Sequence, residues 1–436
     1  MTMSIVSRRA LLSGFACLVL ATAARADPLP RGEAKTAGFA PDRLDRITAM
    51  VKEAVDKKQI AGGTALVARH GKVVYVSTVG LQDVEAKVPL TDSTIFRIAS
   101  MSKPITSVAV MILEDDGKLS VKDPLSKYVP EFKDMKVLVP GKDDKFETVP
   151  AEREITIHDL LTHTSGITYG LMNKPFVSKM YAEAGVADGL GDPSGTIGEN
   201  VKKLARMPLV CQPGSAWEYG LSTDVLGRVV EVASGKTLDE FLRERIFQPL
   251  KMTDTYFVLP KEKHSRLSTL YLVGEDKTIT RVGNEPAKSM GFNVSANFPT
   301  RLDSKYYSGG AGLVSTAGDY FRFSQMMLNG GELDGARVLK AETAKRMTQN
   351  QMGKLRIQFP GNDLMGYGFG VLSEEGKEKS KEPTGVGSFS WGGAFNTFFW
   401  VDPKNEIIGV FMAQVFPPDF VLPQEFKRLT YEALQK

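Results

Sequence analysis

Hydrophobic positions change their spacing along the chain, and each change predicts a different element. After Pro41-Asp42, Leu44, Ile47, Met50, Val51 and Val55 recur three to four apart, which predicts one amphipathic helix closing before Gly62-Gly63. Thr64 to Ala68 and Val73 to Val79 flank His70-Gly71 and read as two strands of a hairpin. An apolar-periodic run from Ile105 to Leu113, ending near Asp115-Asp116-Gly117, predicts a helix opening at about Ser100. From Lys118 to about Arg301 helical spacing dominates, cut by turn signals at Pro124, Pro130, Pro140-Gly141, Pro193, Pro213-Gly214 and Pro249. Helices are predicted there from Thr156 through Leu161, after Thr223 to Gly235, and from Leu238 to Phe247.

Strand signals return later. Gly309 to Val314 precedes a helix from Ala317 to Leu328, and Gly366 to Val371 reads as a strand. Ser388 to Trp391, Phe395 to Val401 and Ile407 to Gln414 make an antiparallel meander, turning at Asp402-Pro403-Lys404-Asn405. A closing helix runs from about Pro423 to Leu434. Strands at both ends with helices between imply an α/β (α+β) fold, one antiparallel sheet built from both chain ends and flanked by helices. Residues 27–117 and 302–436 would form a discontinuous α/β domain, and 118–301 a mainly helical insertion.

The first 26 residues stand apart. Ser7-Arg8-Arg9 is basic, an apolar stretch follows through Ala23, and Ala24-Arg25-Ala26 offers a cleavage site before Asp27. This is the pattern of a signal peptide, and the paired arginines suggest twin-arginine export to the periplasm. Its apolar part is too short for a stable membrane span. Without Arg8, Arg9 and Arg25 the formal charge falls from +4 to +1, so no basic patch argues for nucleic acid. The remaining chain keeps one cysteine, Cys211, which excludes an internal disulfide and reads as a small core residue.

Chemistry enters with Ser100 and Lys103, the one S-x-x-K pair in the chain. Spacing of three puts both side chains on one helix face, where an amine of lowered pKa can activate a hydroxyl. By itself the pair reads as a helix cap and a solvated lysine, and it needs partners to mean more. A Ser-His-Asp hydrolase would need His70, His158, His163 or His264, but no G-x-S-x-G elbow occurs, and His163 reads as a structural hydrogen-bonding residue. No H-E-x-x-H, cysteine-histidine cluster or phosphate-binding loop supports metal or nucleotide chemistry. Two other stretches fit an acylating serine. Tyr219, in Trp217-Glu218-Tyr219-Gly220-Leu221, could shuttle a proton beside a buried ammonium, or serve as an aromatic anchor. Gly392-Gly393, in Ser390-Trp391-Gly392-Gly393-Ala394, could offer bare backbone to an oxyanion together with the N–H of Ser100, or form a β-bulge. The apolar stretch Tyr169 to Tyr181 either covers an acyl pocket or packs in the core.

In combination, Ser100-Met101-Ser102-Lys103, Leu160-Leu161-Thr162-His163-Thr164-Ser165-Gly166, Tyr219 and Trp391-Gly392-Gly393 resemble the serine β-lactamase and penicillin-binding superfamily. Within it the chain is most similar to the class C β-lactamase-like family VIII carboxylesterases, which also carry a stretch like Gly312-Leu313-Val314-Ser315-Thr316-Ala317. The resemblance spans about Pro41 to Leu434 and implies a β-lactamase/transpeptidase-like fold. It implies that Ser100 is the acylated nucleophile, and that Lys103 is its base or holds Tyr219 as phenolate. Gly392 and Gly393 would line the acyl group, with the Ala394 N–H as second oxyanion donor.

Two departures shape the expected substrate. Class C β-lactamases carry Y-x-N and K-T-G, whereas here the asparagine position is Leu221 and the lysine position is Trp391. A tryptophan cannot pair with a carboxylate, so anionic β-lactams should lose more than neutral esters. The expectation is a serine carboxylesterase cleaving short, mostly neutral esters through an acyl-serine, with neither cofactor nor metal. A β-lactamase or D-amino-acid peptidase is the alternative within the fold. A penicillin-binding-type sensor that acylates without turning over is the alternative of another class, and a transacylase stands beside it. The implied partner is a small ester or β-lactam-like molecule, with the oligomeric state left open.

Overall fold

The computed structural model describes residues 29–141, 146–170, 175–191, 193–357 and 361–435. The leader with Arg8-Arg9, and Leu171 and Met172 of the apolar stretch, lie outside the described residues.

Eight strands form the central sheet: β1 (Gly62–Arg69), β2 (Lys72–Asp83), β3 (Val88–Pro89), β4 (Leu364–Met365), β5 (Gly370–Val371), β6 (Phe389–Gly393), β7 (Thr397–Asp402) and β8 (Ile407–Met412). Their spatial order is β4-β5-β6-β7-β8-β1-β2-β3, antiparallel throughout. The two chain ends meet where β8 pairs with β1, Thr64 opposite Met412 and Arg69 opposite Ile407. The β1–β2 turn is made by His70 and Gly71, both at positive φ (51° and 74°), the geometry a two-residue hairpin of right-handed twist demands.

Helices cover both faces, which is why β1, β7 and β8 are buried almost without alternation. On one face α1 (Pro41–Asp56) inserts Leu44, Ile47 and Val51 beside Phe426 of the closing helix Val421–Glu432. On the other lie α2 (Ser102–Asp115) and Ala317–Leu328, with the Tyr320 ring 4.8 Å from that of Phe399 on β7. Every residue of α2 from Ser102 to Leu113 is buried, because its far side packs on a helix of the 118–301 region.

That region holds α3 (Ile157–Leu161), α4 (Pro175–Glu183), α5 (Ile197–Leu204), α6 (Ser222–Ser234) and α7 (Leu238–Leu242). It also carries three hairpins that helical spacing does not announce: Lys136–Pro140 against Phe146–Pro150, Tyr271–Val273 against Ile279–Arg281, and Ala287–Ser289 against Phe292–Val294. The last two are built of three-residue strands, too short to show a period. Gly366 to Val371 also differs from expectation. Gly366 N–H donates to Phe369 O (2.8 Å) and Gly368 sits at φ +84°, so glycine freedom makes a turn joining β4 to β5. Cys211 is half-buried rather than part of the core.

Candidate active site

Ser100 lies in a 3-10 turn, Ala99–Met101, that feeds α2, so the helix proper opens two residues later than its pattern suggests. Ala99 has φ +41°, a strained value for a side chain with a Cβ, at the position next to the serine. Neighbouring segments hold the turn on every side. Ile98 N–H donates to Leu313 O (3.0 Å), Leu313 N–H to Ser102 Oγ (3.1 Å), and Tyr320 Oη to Met101 O (2.8 Å).

One turn on, Lys103 is fully buried. Its Nζ donates to Ser100 Oγ (3.1 Å), Tyr169 Oη (3.0 Å) and the carbonyl of Gly310 (2.8 Å), three acceptors for three ammonium hydrogens. Nζ also lies 4.9 Å from the Tyr219 ring centroid and 5.6 Å from that of Tyr169. Burial works to lower the lysine's pKa, but the charge and hydrogen bonds of Tyr169 and Tyr219 outweigh it and hold the pKa above the ordinary value. The sequence admits an amine made basic by burial; the fold supplies instead an ammonium cradled by phenols. Burial drives the Tyr169 hydroxyl well above the usual phenol range, with Lys103 pulling it back.

Tyr169 reaches the lysine because the segment after α3 is tightly folded. Thr156 caps α3 reciprocally with Asp159, whose carboxylate also takes a bidentate pair of bonds from Arg153 (2.6 and 2.9 Å). Thr164 N–H then returns to Asp159 O (2.8 Å), and Ser165 Oγ meets Ser222 Oγ at 2.9 Å, tying the loop to α6. The Tyr169 and Tyr219 rings meet edge-on at 5.4 Å. His163 is buried 4.9 Å from the Tyr219 ring, and no hydrogen-bond partner reaches its Nδ1 among the described residues. Burial, helped by the Lys103 charge, pushes its pKa down to about 3, so it stays neutral.

Trp391 stands mid-strand on β6, fully buried, its ring 5.7 Å from that of Tyr219. Trp217 stacks on Tyr219 from another side at 5.9 Å. Gly393 ends β6, paired with Thr397, and Asn396 N–H closes the hairpin on Gly393 O (3.1 Å), so the glycines end in a hairpin rather than a bulge. A Cβ on Gly393 would strike the carbonyl of Ile98, two residues before Ser100. Ala394 packs against the small apolar cluster that contains Ala99. The structure therefore gathers Ser100, Lys103, Tyr219, Trp391 and Gly393 in one place and adds Tyr169 and the Gly310 carbonyl. Tyr169 lies three residues beyond the Leu160–Gly166 motif, and that adjacency was the signal that could have found it. Among the described residues, no three His, Cys, Asp or Glu side chains gather to hold a metal, and no helix is long and apolar enough to cross a membrane.

The family profile described as Beta-lactamase matches residues 47–432, and the chain belongs to that family. Esterase EstB of Burkholderia gladioli is 33% identical over 364 residues, 82% of this chain and 86% of that protein. Protein Rv1367c of Mycobacterium tuberculosis (strain ATCC 25618 / H37Rv) is 34% identical over 382 residues, 86% of this chain and 90% of that one. The solved structure of EstCE1, a hydrolase with promiscuous acyltransferase activity, superposes with TM-score 0.76 at 27% identity, covering 89% of this chain and 99% of that chain. The chain is a serine hydrolase of the β-lactamase fold, similar to the family VIII esterases.

Proposed function

We propose that the chain is a carboxylesterase that cleaves short, mostly neutral esters through an acyl group on Ser100. The observation that carries this reading is the buried Lys103 ammonium, 3.1 Å from Ser100 Oγ and 3.0 Å from Tyr169 Oη. An ammonium with its three hydrogens spent is a poor proton acceptor but a strong stabiliser of an adjacent phenolate. The serine proton therefore passes to a phenolate oxygen beside Lys103, leaving a neutral phenol, as Oγ attacks the ester carbonyl carbon. Tyr219, half-buried and facing Lys103, is assigned that role, and Tyr169 fixes the lysine. The oxyanion rests on the N–H groups of Ser100 and Ala394, and the phenol returns its proton to the leaving alkoxide. Water then attacks the acyl-serine by the reverse path.

The buried Trp391 supports neutral esters over anionic β-lactams, since it offers an apolar wall where a carboxylate would need a cation. Intact-mass spectrometry with a slow acylating inhibitor tests the nucleophile: an adduct is expected on the wild type and none on Ser100→Ala. Adduct on both chains overturns the assignment. Turnover compared between p-nitrophenyl butyrate and nitrocefin tests the substrate class, and a higher kcat/KM for nitrocefin overturns it. Acyl transfer to an alcohol is a second reading, favoured by the similarity to EstCE1 and its promiscuous acyltransferase activity. Transfer product formed in added alcohol measures its share. Export through the twin-arginine route, ending in the periplasm, completes the proposal on the pattern of residues 1–26. A mature chain that begins at Met1 would exclude cleavage.

A further inference from the structure

Behind the Lys103 ammonium stands Asp224, in the first turn of α6. It is buried to 1% exposure. Its Oδ1 accepts from Ser308 Oγ (2.6 Å) and from the Gly310 N–H (3.4 Å). Its Oδ2 has no hydrogen-bond partner among the described residues. A buried carboxylate oxygen without a donor is costly unless a charge compensates it. The compensating charge is one residue away. A Cβ built on Gly310 would lie 2.9 Å from Asp224 Oδ2 and 3.4 Å from Lys103 Nζ. Gly310 is thus a bare backbone spacer between the carboxylate and the ammonium, its N–H turned to the first and its C=O to the second.

Lys103 faces Ser100, Tyr169 and Tyr219 on its open side, Asp224 behind, and neutral His163 beside the tyrosines. Asp224 faces Ser308, the Gly310 N–H and Lys103, with Asp188 and Tyr306 further off; Lys103 is the cation that acts on it. Burial pushes the Asp224 carboxyl above its ordinary range, while the Ser308 hydroxyl, the Lys103 charge and the Gly310 N–H pull it back toward the ionised form.

We propose that Asp224 is the buried counter-ion of Lys103, acting across Gly310 to hold the ammonium charged and to set the pH range in which a phenolate can take the serine's proton. It is a positioning residue: it acts on the reaction through Lys103 and touches no reacting atom. This rests on the acyl-serine reading of Ser100 and Lys103. A negative charge behind the site favours the ammonium and disfavours a second negative charge beside it. Removing that charge moves both limbs of the activity profile the same way, toward lower pH.

The test is Asp224→Asn, which keeps an oxygen for Ser308 and Gly310 but no charge. The pH profile of kcat/KM on p-nitrophenyl butyrate is expected to shift down by about one pH unit, a tenfold change in proton affinity. A folded variant whose two limbs stay at the wild-type pH overturns the proposal, because a structural role would lower the rate without moving them. Should Asp224→Asn fail to fold, Ser308→Ala removes the donor that stabilises the charge and is expected to shift the profile the same way by less. An unmoved Ser308→Ala profile then overturns it. Adduct formation on Ser100 is measured in the same variants. Labelling retained with an unmoved profile sinks Asp224 alone, whereas wild-type-like labelling of Ser100→Ala sinks the acyl-serine reading beneath it.

Discussion

Tyr169 Oη and Lys103 Nζ, 66 residues apart in the chain, are hydrogen-bonded at 3.0 Å inside the core. Tyr219 meets the same ammonium through its ring, 4.9 Å from Nζ to centroid. Two phenols thus attend one cation, and removing each oxygen separates their parts. Tyr219→Phe deletes the proposed proton carrier and is expected to lower kcat on p-nitrophenyl butyrate by about 10²–10⁴-fold with the fold intact. Tyr169→Phe leaves the buried ammonium one acceptor short, which costs about 1–3 kcal/mol of stability, and is expected to cut kcat by a smaller factor. Steady-state kinetics beside thermal melts check both. A Tyr169→Phe enzyme slower than Tyr219→Phe would exchange the two roles.

His163 gives the fold an acid-side weakness that the chemistry should not share. Its folded pKa, about 3, lies below the ordinary 6.5 because burial and the Lys103 charge disfavour the imidazolium. A cationic acid depressed in the native state binds its proton more readily when unfolded. Stability is therefore present above about pH 6.5 and falls as the pH drops from there toward 3. At pH 3 the loss is on the order of 3–5 kcal/mol from this group alone. His163→Gln is expected to flatten the decline of Tm between pH 6.5 and 3. The kcat/KM profile of the wild type should show no limb that disappears in this variant. A limb lost with the imidazole would make His163 a catalytic base.

Much of this could be read along the chain because its signals are local. Ser100 and Lys103 are three apart, α2 and the β6–β8 meander each carry an apolar pattern, and each lies within two residues of where that pattern puts it. The Tyr169 contact and the Asp224–Gly310–Lys103 arrangement depend on chain returns of 66, 86 and 207 residues, which no period encodes. The charge state of Lys103 was illegible for the same reason. Burial works to neutralise the amine, and groups brought from elsewhere in the chain, Tyr169 and Tyr219 among them, reverse the sign. Gly366 to Val371 misled because alternating glycines mimic a strand's two-residue period while supplying a turn's freedom.

The end of β6 is held against the Ala99–Met101 turn by a contact that only glycine permits. A Cβ at Gly393 falls on the Ile98 carbonyl, which already accepts from Thr397 Oγ1 (3.3 Å). Neither side can yield without moving β6 or the Ala99–Met101 turn. Gly393→Ala is expected to cost about 1–3 kcal/mol of stability, the usual range for overpacking. A displacement of roughly 1 Å between Ser100 and the oxyanion donors can cost about 10²-fold in rate. The loss should fall on kcat with KM nearly unchanged, which initial-rate measurements on a folded sample would show. An unimpaired Gly393→Ala enzyme would mean that this strand end does not position the acyl carbonyl.

Trp391 offers a direct test of substrate charge selection. It occupies the strand position opposite Phe399, fully buried, 5.7 Å from the Tyr219 ring. Trp391→Lys exchanges an apolar wall for a cation beside Tyr219. Stability should fall by about 3–5 kcal/mol, from lost packing and a newly buried charge. The second ammonium also repels Lys103 and so lowers the rate on neutral esters. Against an anionic β-lactam the new cation supplies a charged contact, and about 1.4 kcal/mol of it in the transition state is a tenfold gain. The ratio of kcat/KM for nitrocefin over p-nitrophenyl butyrate is therefore expected to rise by about tenfold, even as the ester rate drops. A folded variant whose ratio does not move would show that the missing cation does not set the ester preference, and would shift attention to Leu221, at the other departure from the β-lactamase pattern.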